Sequence, residues 1–186
     1  MDTPNQPERS ELIALAANVR LLIFDVDGVL TDGGLYYGPE GEALKRFDVK
    51  DGHGLVMARL VGLPSAVITA RTGKIIEARG KELGFVAVLQ GYRDKREGLD
   101  ALLDSLQLTP GVCAYMGDDL NDLGPMAEVG LSACPADAVG EVRKVAKFVA
   151  QNSGGRGAAR ELAELCLRAS GRWEQALGLM NPSSRR

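Results

Sequence analysis

Four apolar residues run directly into two aspartates near the start of the chain. The run from Leu21 to Phe24 is apolar without alternation, as expected of a strand that is buried on both faces of a parallel sheet. Asp25 and Asp27 follow it, and ligands of such sheets bind beyond the carboxyl ends of the strands. An extended spacing of two places both carboxylates on one side. Asp-x-Asp-Gly is also ordinary turn sequence, so other parts of the chain must decide between a turn and a site.

Composition limits the class of protein and its partners. The 186 residues favour one domain with a sizeable core. Lys and Arg total 22 against 25 Asp and Glu, so charge gives no reason to expect nucleic acid or an anionic membrane as a partner. No apolar run approaches the roughly 18 residues of a membrane span, and Cys113, Cys134 and Cys166 form no Cys-x-x-Cys pair. We expect a cytoplasmic protein with free thiols.

Strand-like and helical segments alternate along the chain. After the first strand, further strands are predicted at 65–69, 86–89, 112–116, 131–133 and 148–149. Because helical patterns lie between them, the alternation predicts an α/β fold, a doubly wound (Rossmann-like) parallel sheet with helices on both faces.

Three parts of the chain are predicted: a tail and short helix at 1–18, a catalytic core at 19–153, and a C-terminal helix and tail at 154–186. Ser10 is expected to cap the first helix. Residues 33–47 are interpreted as a small β-hairpin flap around a Gly-Pro-Glu-Gly turn. Residues 48–54 are interpreted as a loop that precedes a helix over about 55–61.

Polar residues at or beyond the ends of these strands form the candidate site. They are Asp25, Asp27, Thr69, Lys95, Asp118, Asp119 and Asp122. If topology brings them together, two carboxylates about 4 Å apart repel by roughly 4 kcal/mol at an effective dielectric of about 20, so a cation is needed. Oxygen ligands without His or Cys favour a hard ion, and Mg²⁺ is the natural choice.

These residue types suit the hydrolysis of a phosphate monoester. Lys95 and Thr69 match phosphate oxygens, one as a point charge and the other as a hydroxyl donor. Asp25, held beside Mg²⁺, is suited to attack phosphorus in line and form a covalent intermediate. Asp27 is suited to protonate the leaving alcohol and then to activate the water that opens the intermediate.

The four motifs resemble those of the haloacid dehalogenase superfamily phosphatases. They are Asp25-Val-Asp27-Gly-Val, Thr69, Lys95 and Gly117-Asp118-Asp119, in this order. The resemblance implies that Asp25 is the nucleophile and Asp27 the acid/base. It implies a Mg²⁺ site made by Asp25, the main-chain carbonyl of Asp27, and Asp118. Asp119 and Asp122 are then expected to orient these groups without touching the metal.

A narrower resemblance covers nearly all of residues 19–180. The segments 25–32, 47–54, 90–95, 117–122 and 154–161 resemble the 3-deoxy-D-manno-octulosonate 8-phosphate phosphatases. This implies hydrolysis of that sugar acid phosphate in lipopolysaccharide sugar biosynthesis. The family has no cap domain, and only 36 residues separate Asp32 from Thr69 here, too few for one. In the family, the hairpin and C-terminal tail of neighbouring subunits close the sites of a homotetramer.

The resemblance also implies a set of substrate contacts. By position they are Asp48, Val49, Lys50, Asp51, Gly52, Arg71, Arg79, Lys95 and Arg156. Two places depart from the pattern of many members, which have Gly where Ala70 stands and Arg where Val56 stands. Val56 leaves open a phosphatase for a nine-carbon keto-deoxy sugar acid 9-phosphate, and the role of His53, the single histidine, stays open.

A phospho-accepting receiver domain is an alternative of another class, since it also combines acidic residues, a Thr and a Lys. In receivers the acceptor Asp follows the third strand. Here the third strand is followed by Gln90-Gly91, which argues against that reading.

Overall fold

The structure, a computed structural model, describes residues 7–181 of the chain. The helices are α1 (Arg9–Ala17), α2 (Val49–Leu60), α3 (Lys74–Leu83), α4 (Lys95–Leu106), α5 (Leu123–Glu128), α6 (Gly140–Val145), α7 (Ala158–Ala169) and α8 (Trp173–Met180). The strands are β1 (Leu21–Phe24), β2 (Tyr36–Gly38), β3 (Gly41–Leu44), β4 (Ser65–Thr69), β5 (Ala87–Gln90), β6 (Cys113–Met116), β7 (Leu131–Cys134) and β8 (Phe148–Val149). Within residues 7–181, none of the helices has the length and apolar character needed to span a bilayer.

Six strands form one parallel sheet in the order β5-β4-β1-β6-β7-β8. All residues of β1, β4, β6 and β7 are buried, which is why these strands are apolar without alternation. The strand order reverses between β1 and β6, and this switch opens a crevice at their carboxyl ends. The predicted doubly wound sheet is confirmed, and β2 and β3 form the predicted antiparallel hairpin.

The two faces of the sheet carry separate helical layers. In β1, Leu22 and Phe24 pack into the core shared with α1, α2 and α7, whereas Leu21 and Ile23 pack against α4, α5 and α6. The alternation follows from the period of two in a strand. Helix α7 buries one whole side, including Leu162. The segment after residue 157 therefore begins with a helix that completes the core of its own chain.

The predicted start of α1 is wrong. The helix begins at Arg9 and its cap residue is Glu8, whose side chain makes no capping hydrogen bond. Ser10 therefore lies inside the first turn. A cap at Ser10 would start the helix at Glu11, so the helix extends two residues further toward the amino end than predicted.

The prediction of a loop at 48–54 is also wrong, because α2 begins at Val49. The Asp48 side chain caps this helix by accepting from the N–H groups of Lys50 and Asp51. Glycine is a poor helix former, so Gly52 and Gly54 favoured a loop. In the folded chain a Cβ at Gly52 would overlap the Arg79 guanidinium, and one at Gly54 would overlap the Arg160 side chain. Tertiary packing thus requires glycine in this helix.

Candidate active site

Three carboxylates meet at the crevice between β1 and β6. Asp25 follows β1, Asp118 follows β6, and one ligand oxygen from each of Asp25, Asp118 and Asp122 lies within 4.8 Å of the others. Gly28 makes this approach possible, since its φ is +87° and a Cβ there would overlap the Asp118 carboxylate. The chain therefore brings three of the five predicted acidic residues into one small volume.

Asp122 is a fully buried anchor with both oxygens in use. Its Oδ1 accepts from Lys95 Nζ at 2.6 Å and from the Tyr115 hydroxyl at 2.7 Å. Its Oδ2 accepts from the N–H groups of Asp118 and Asp119 at 3.1 and 3.3 Å. Asp122 thus holds Lys95 and the loop that carries Asp118, as expected of a residue that orients the site from behind.

Lys95, the first residue of α4, reaches the nucleophile candidate directly. Its Nζ lies 2.9 Å from Asp25 Oδ2, and the Lys95 side chain is buried. Burial lowers the pKa of Lys95, but the carboxylates of Asp25 and Asp122 outweigh this effect and leave its pKa raised. The lysine is therefore a permanent cation at the centre of the cluster.

The remaining negative charge at the cluster is poorly compensated by protein alone. Burial, followed by the charge of Asp122, raises the pKa of Asp25 to about 7. Burial, followed by the charges of Asp25 and Asp122, raises the pKa of Asp118 to about 8. Within the described residues, the buried Oδ1 of Asp118 accepts no hydrogen bond. An oxygen-only donor set with an unpartnered carboxylate oxygen fits a hard divalent cation such as Mg²⁺.

Asp27 is held by a residue that the sequence did not single out. Lys45, just after β3, donates to Asp27 Oδ1 and at 2.7 Å to Glu42 Oε1. Arg71 lies on the other side, with its Nε 3.6 Å from Asp27 Oδ2 and its Nη2 3.5 Å from Glu42 Oε2. The chain's own hairpin therefore forms a wall of its own site, in addition to any cover from another subunit. A lone lysine after a short strand carries no sequence signal of such a role.

A cavity of about 180 Å³ opens onto these groups. Its lining includes the predicted Thr69, whose side chain is buried and whose Oγ1 accepts from the Arg71 N–H at 3.3 Å. The lining residues are Asp25, Asp27, Thr69, Ala70, Arg71, Lys95, Asp118, Asp119 and Asn121. A larger cavity of about 670 Å³ lies at the amino ends of the strands, beside Leu21 and Pro64, and no carboxylate lines it. The smaller cavity, which the carboxylates and Lys95 line, is therefore the candidate active site.

The predicted substrate contacts divide into two groups. Arg71 and Lys95 line the cavity at Asp25, whereas Val49, Gly52 and Arg79 line a separate cavity of about 260 Å³ between α2 and α3. The Arg79 guanidinium is already engaged, since it donates to Glu82 Oε2 at 2.9 Å and to the carbonyl of Asp48 at 3.4 Å. The exposed side chain of Lys50 lines neither cavity. The substrate contacts away from Asp25 stay predictions.

Asp51 links α2 to the start of α7, and Arg156 links the loop after β1 to the segment before α7. The buried Asp51 carboxylate accepts from the N–H groups of Gly157 and Arg160 at 3.0 and 2.8 Å. Burial raises the pKa of Asp51 although these hydrogen bonds oppose the shift. Arg156 is mostly exposed and lies 4.0 Å from Asp32 Oδ2. In this chain both residues contact the protein rather than the cavity at Asp25.

Comparison with known proteins gives a consistent result. A family model for haloacid dehalogenase-like hydrolases matches residues 66–162. The chain is 44% identical over 179 residues to the 3-deoxy-D-manno-octulosonate 8-phosphate phosphatase of Yersinia pestis, covering 96% of each protein. It is 44% identical over 172 residues to that of Escherichia coli K12, covering 92% of each.

A solved structure agrees with these sequence relatives. It is a crystal structure of 3-deoxy-D-manno-octulosonate 8-phosphate phosphatase from Moraxella catarrhalis in complex with a magnesium ion, a phosphate ion and KDO. It matches with a TM-score of 0.90 and 34% identity, and the match covers 94% of this chain and 100% of that chain. The chain belongs to the haloacid dehalogenase-like hydrolases and, within them, to the family of the 3-deoxy-D-manno-octulosonate 8-phosphate phosphatases.

Proposed function

We propose that this chain hydrolyses 3-deoxy-D-manno-octulosonate 8-phosphate to the free sugar acid and phosphate. The observation that carries the proposal is the cluster of Asp25, Lys95 and the half-buried Asp118 at the strand crevice, in a chain 44% identical to a phosphatase of that name. Such hydrolysis is among the slowest uncatalysed reactions, so a site for it must stabilise negative charge. Lys95 and a cation held by the carboxylates supply positive charge for this stabilisation.

Asp25, Asp118 and the main-chain carbonyl of Asp27 hold Mg²⁺ in this proposal. When bound, the ion neutralises the charge of the carboxylates and of the phosphate. Lys95 adds a fixed positive charge beside Asp25, and Thr69 offers its hydroxyl to a phosphate oxygen. Together these groups orient the phosphorus for attack by a carboxylate that is otherwise a weak nucleophile.

The reaction proceeds in two displacements at phosphorus. An oxygen of Asp25 attacks, the bond between phosphorus and the sugar oxygen breaks, and Asp27 gives its proton to that oxygen. Asp27 then takes a proton from water as the water oxygen attacks phosphorus. The bond to Asp25 breaks, phosphate leaves, and both aspartates return to their initial states.

Recognition of the sugar acid falls to the cations around the cavity. Arg71 lines the cavity and its guanidinium suits the carboxylate of the substrate. In an assembled form, neighbouring chains contribute to the site and complete the other predicted contacts, which are Asp48, Val49, Lys50, Gly52, Arg79 and Arg156. For Asp51, the hydrogen bonds from the N–H groups of Gly157 and Arg160 support an indirect role.

We further propose a homotetramer in the cytoplasm. The hairpin region exposes large apolar side chains, with Tyr37 and Leu44 each 65% exposed, and such a patch suits contact with another subunit. The three cysteines are free and buried, as in proteins of a reducing compartment. Light scattering of the purified protein measures the mass, and a monomer at working concentration would contradict the tetramer.

The decisive experiment measures phosphate release from a panel of phosphate monoesters. The panel includes the eight-carbon sugar acid 8-phosphate, a nine-carbon keto-deoxy sugar acid 9-phosphate and a hexose 6-phosphate that lacks a carboxylate. We expect the highest kcat/KM for the eight-carbon compound, loss of activity with EDTA and recovery with Mg²⁺. A higher kcat/KM for the nine-carbon compound would contradict the proposed substrate and assign the nine-carbon one instead. Activity that EDTA leaves unchanged would contradict the metal site.

A further inference from the structure

Lys45 has its charged end out of contact with water. Its side chain is 1% exposed, and its Nζ is paired with carboxylate oxygens of Asp27 and Glu42. A buried ammonium costs several kcal/mol unless its charge and its donors are matched. One of the two carboxylates that pair with this ammonium is Asp27, the proposed acid/base. Lys45 is therefore hydrogen-bonded directly to a group that transfers protons in the proposed reaction.

The backbone around Lys45 is bonded to the loop that follows β1. Phe47 forms an antiparallel bridge with Thr31, which lies in the loop that follows Asp27. Arg46 donates from Nη1 to the carbonyl of Gly155 at 2.9 Å. Since contacts on this short segment fix its path, Lys45 reaches Asp27 from a defined position.

The two oxygens of Asp27 have different surroundings. Oδ1 accepts from Lys45 and, at 3.4 Å, from the Thr31 hydroxyl. Oδ2 is buried and accepts no hydrogen bond from any described residue, while the Nε of Arg71 lies 3.6 Å away. An oxygen that accepts a hydrogen bond from an ammonium is occupied, whereas a buried oxygen that accepts none is available to exchange a proton.

We propose that Lys45 is a positioning residue, which holds Asp27 by Oδ1 and thereby directs Oδ2 to the reacting groups. This inference rests on the proposed phosphatase function. Lys45 acts through Asp27: Oδ2 gives its proton to the leaving oxygen and later takes one from the attacking water. Glu42 fixes the ammonium from the other side, so the hairpin orients the acid/base of its own chain.

The test compares Lys45→Met, which removes the charge at similar length, with Lys144→Met. Lys144 is an exposed residue of α6 and serves as the matched control. If Lys45→Met proves insoluble, the double variant Lys45→Met, Glu42→Gln replaces it, because it removes the ammonium together with one of its two partners. Lys45→Arg, which keeps a cation able to donate to both carboxylates, tests for rescue.

The readout is pre-steady-state release of p-nitrophenol from p-nitrophenyl phosphate. Because p-nitrophenolate leaves without being protonated, the first displacement needs no acid, but the second still needs Asp27 to take a proton from water. We expect Lys45→Met to release a burst approaching one p-nitrophenol per active site and then to turn over about 10- to 100-fold more slowly than Lys144→Met. With the sugar acid phosphate both displacements slow, so kcat falls while KM changes less than about threefold.

The possible outcomes separate this inference from the proposed function. A merely structural role for Lys45 would reduce the burst and the steady rate together, and Lys45→Arg would then recover the rate only as far as it recovers thermal stability. Kinetics of Lys45→Met within about twofold of Lys144→Met would overturn the positioning role alone. A wild-type protein that hydrolyses neither ester would overturn the proposed function and this inference with it.

Discussion

The buried ammonium of Lys95, the first residue of α4, lies 2.9 Å from Oδ2 of Asp25, which follows β1. A buried cation this close to a carboxylate stabilises the ionised form that a nucleophile requires. The same ammonium is held at 2.6 Å by Asp122. Lys95 therefore links the nucleophile candidate to the loop that carries Asp118.

Replacing Asp25 by asparagine tests the nucleophile. We expect turnover below about one tenth of wild type, because an amide oxygen is a much weaker nucleophile than a carboxylate. The melting temperature should stay equal or rise, since burial and Asp122 already penalise the charge of Asp25. The exposed Asp100 on α4 supplies the control variant Asp100→Asn. Turnover of a tenth or more would refute the assignment.

Replacing Lys95 by methionine should damage both stability and activity. Removing one partner of a buried ion pair typically costs about 3–5 kcal/mol. We therefore expect a lower melting temperature, since each kcal/mol lost lowers it by roughly 2–4 °C in a domain of this size. Thermal unfolding and phosphate release measure the two effects, with Lys144→Met as control. A melting temperature equal to wild type would show that the pairing of Lys95 is not needed for stability.

The stabilisation by Mg²⁺ should grow with pH. Without metal, the pKa values of Asp25 and Asp118 are raised from 3.8 to about 7 and about 8. The folded state thus binds more protons than the unfolded state at intermediate pH. The contribution of these two aspartates to the free energy of unfolding is fully present below their pKa in the unfolded state. It is lost as the pH rises through their folded-state pKa values of about 7 and about 8.

Mg²⁺ needs the ionised carboxylates, so it should raise the melting temperature more at about pH 8.5 than at about pH 6. Differential scanning calorimetry with Mg²⁺ or EDTA at both values measures this. The same metal-dependent shift at both pH values would contradict the assignment of these two aspartates as ligands.

Replacing Asp51 by alanine should lower stability rather than substrate affinity. The variant leaves the buried N–H of Gly157 and the partly buried N–H of Arg160 without their acceptor, and this loss costs about 1–3 kcal/mol. We expect a lower melting temperature and a KM within about threefold of the control Asp100→Ala. A raised KM with unchanged melting would instead support direct contact with substrate.

Truncation separates α7 from the residues beyond α8. Ending the chain after Gly157 removes Leu162 and Cys166, which are completely buried in the core, so we expect an unfolded or insoluble product. Ending it after Asn181 keeps every described element, and we expect cooperative unfolding near the wild-type temperature. Limited proteolysis and calorimetry distinguish these results. A folded product from the shorter chain would contradict the role of α7 in the core.

The sequence alone determined the sheet and most of the site. Unbroken apolar runs identify buried parallel strands, and the bounds predicted for β1 and β4 match the structure. Since parallel strands end at one edge, the positions of Asp25, Thr69 and Asp118 followed from local pattern and topology. These features depend on neighbouring residues, and local sequence therefore encodes them.

Only the tertiary structure decided which residues support that site. Lys45 reaches Asp27 across a hairpin, and Asp51 is bonded to Gly157, 106 positions away. Gly52 lies in a helix because the Arg79 side chain fills the space of its missing Cβ. No local pattern distinguishes a lysine that will be buried against a carboxylate from one in solvent. Its burial and pairing exist only once distant segments have packed together.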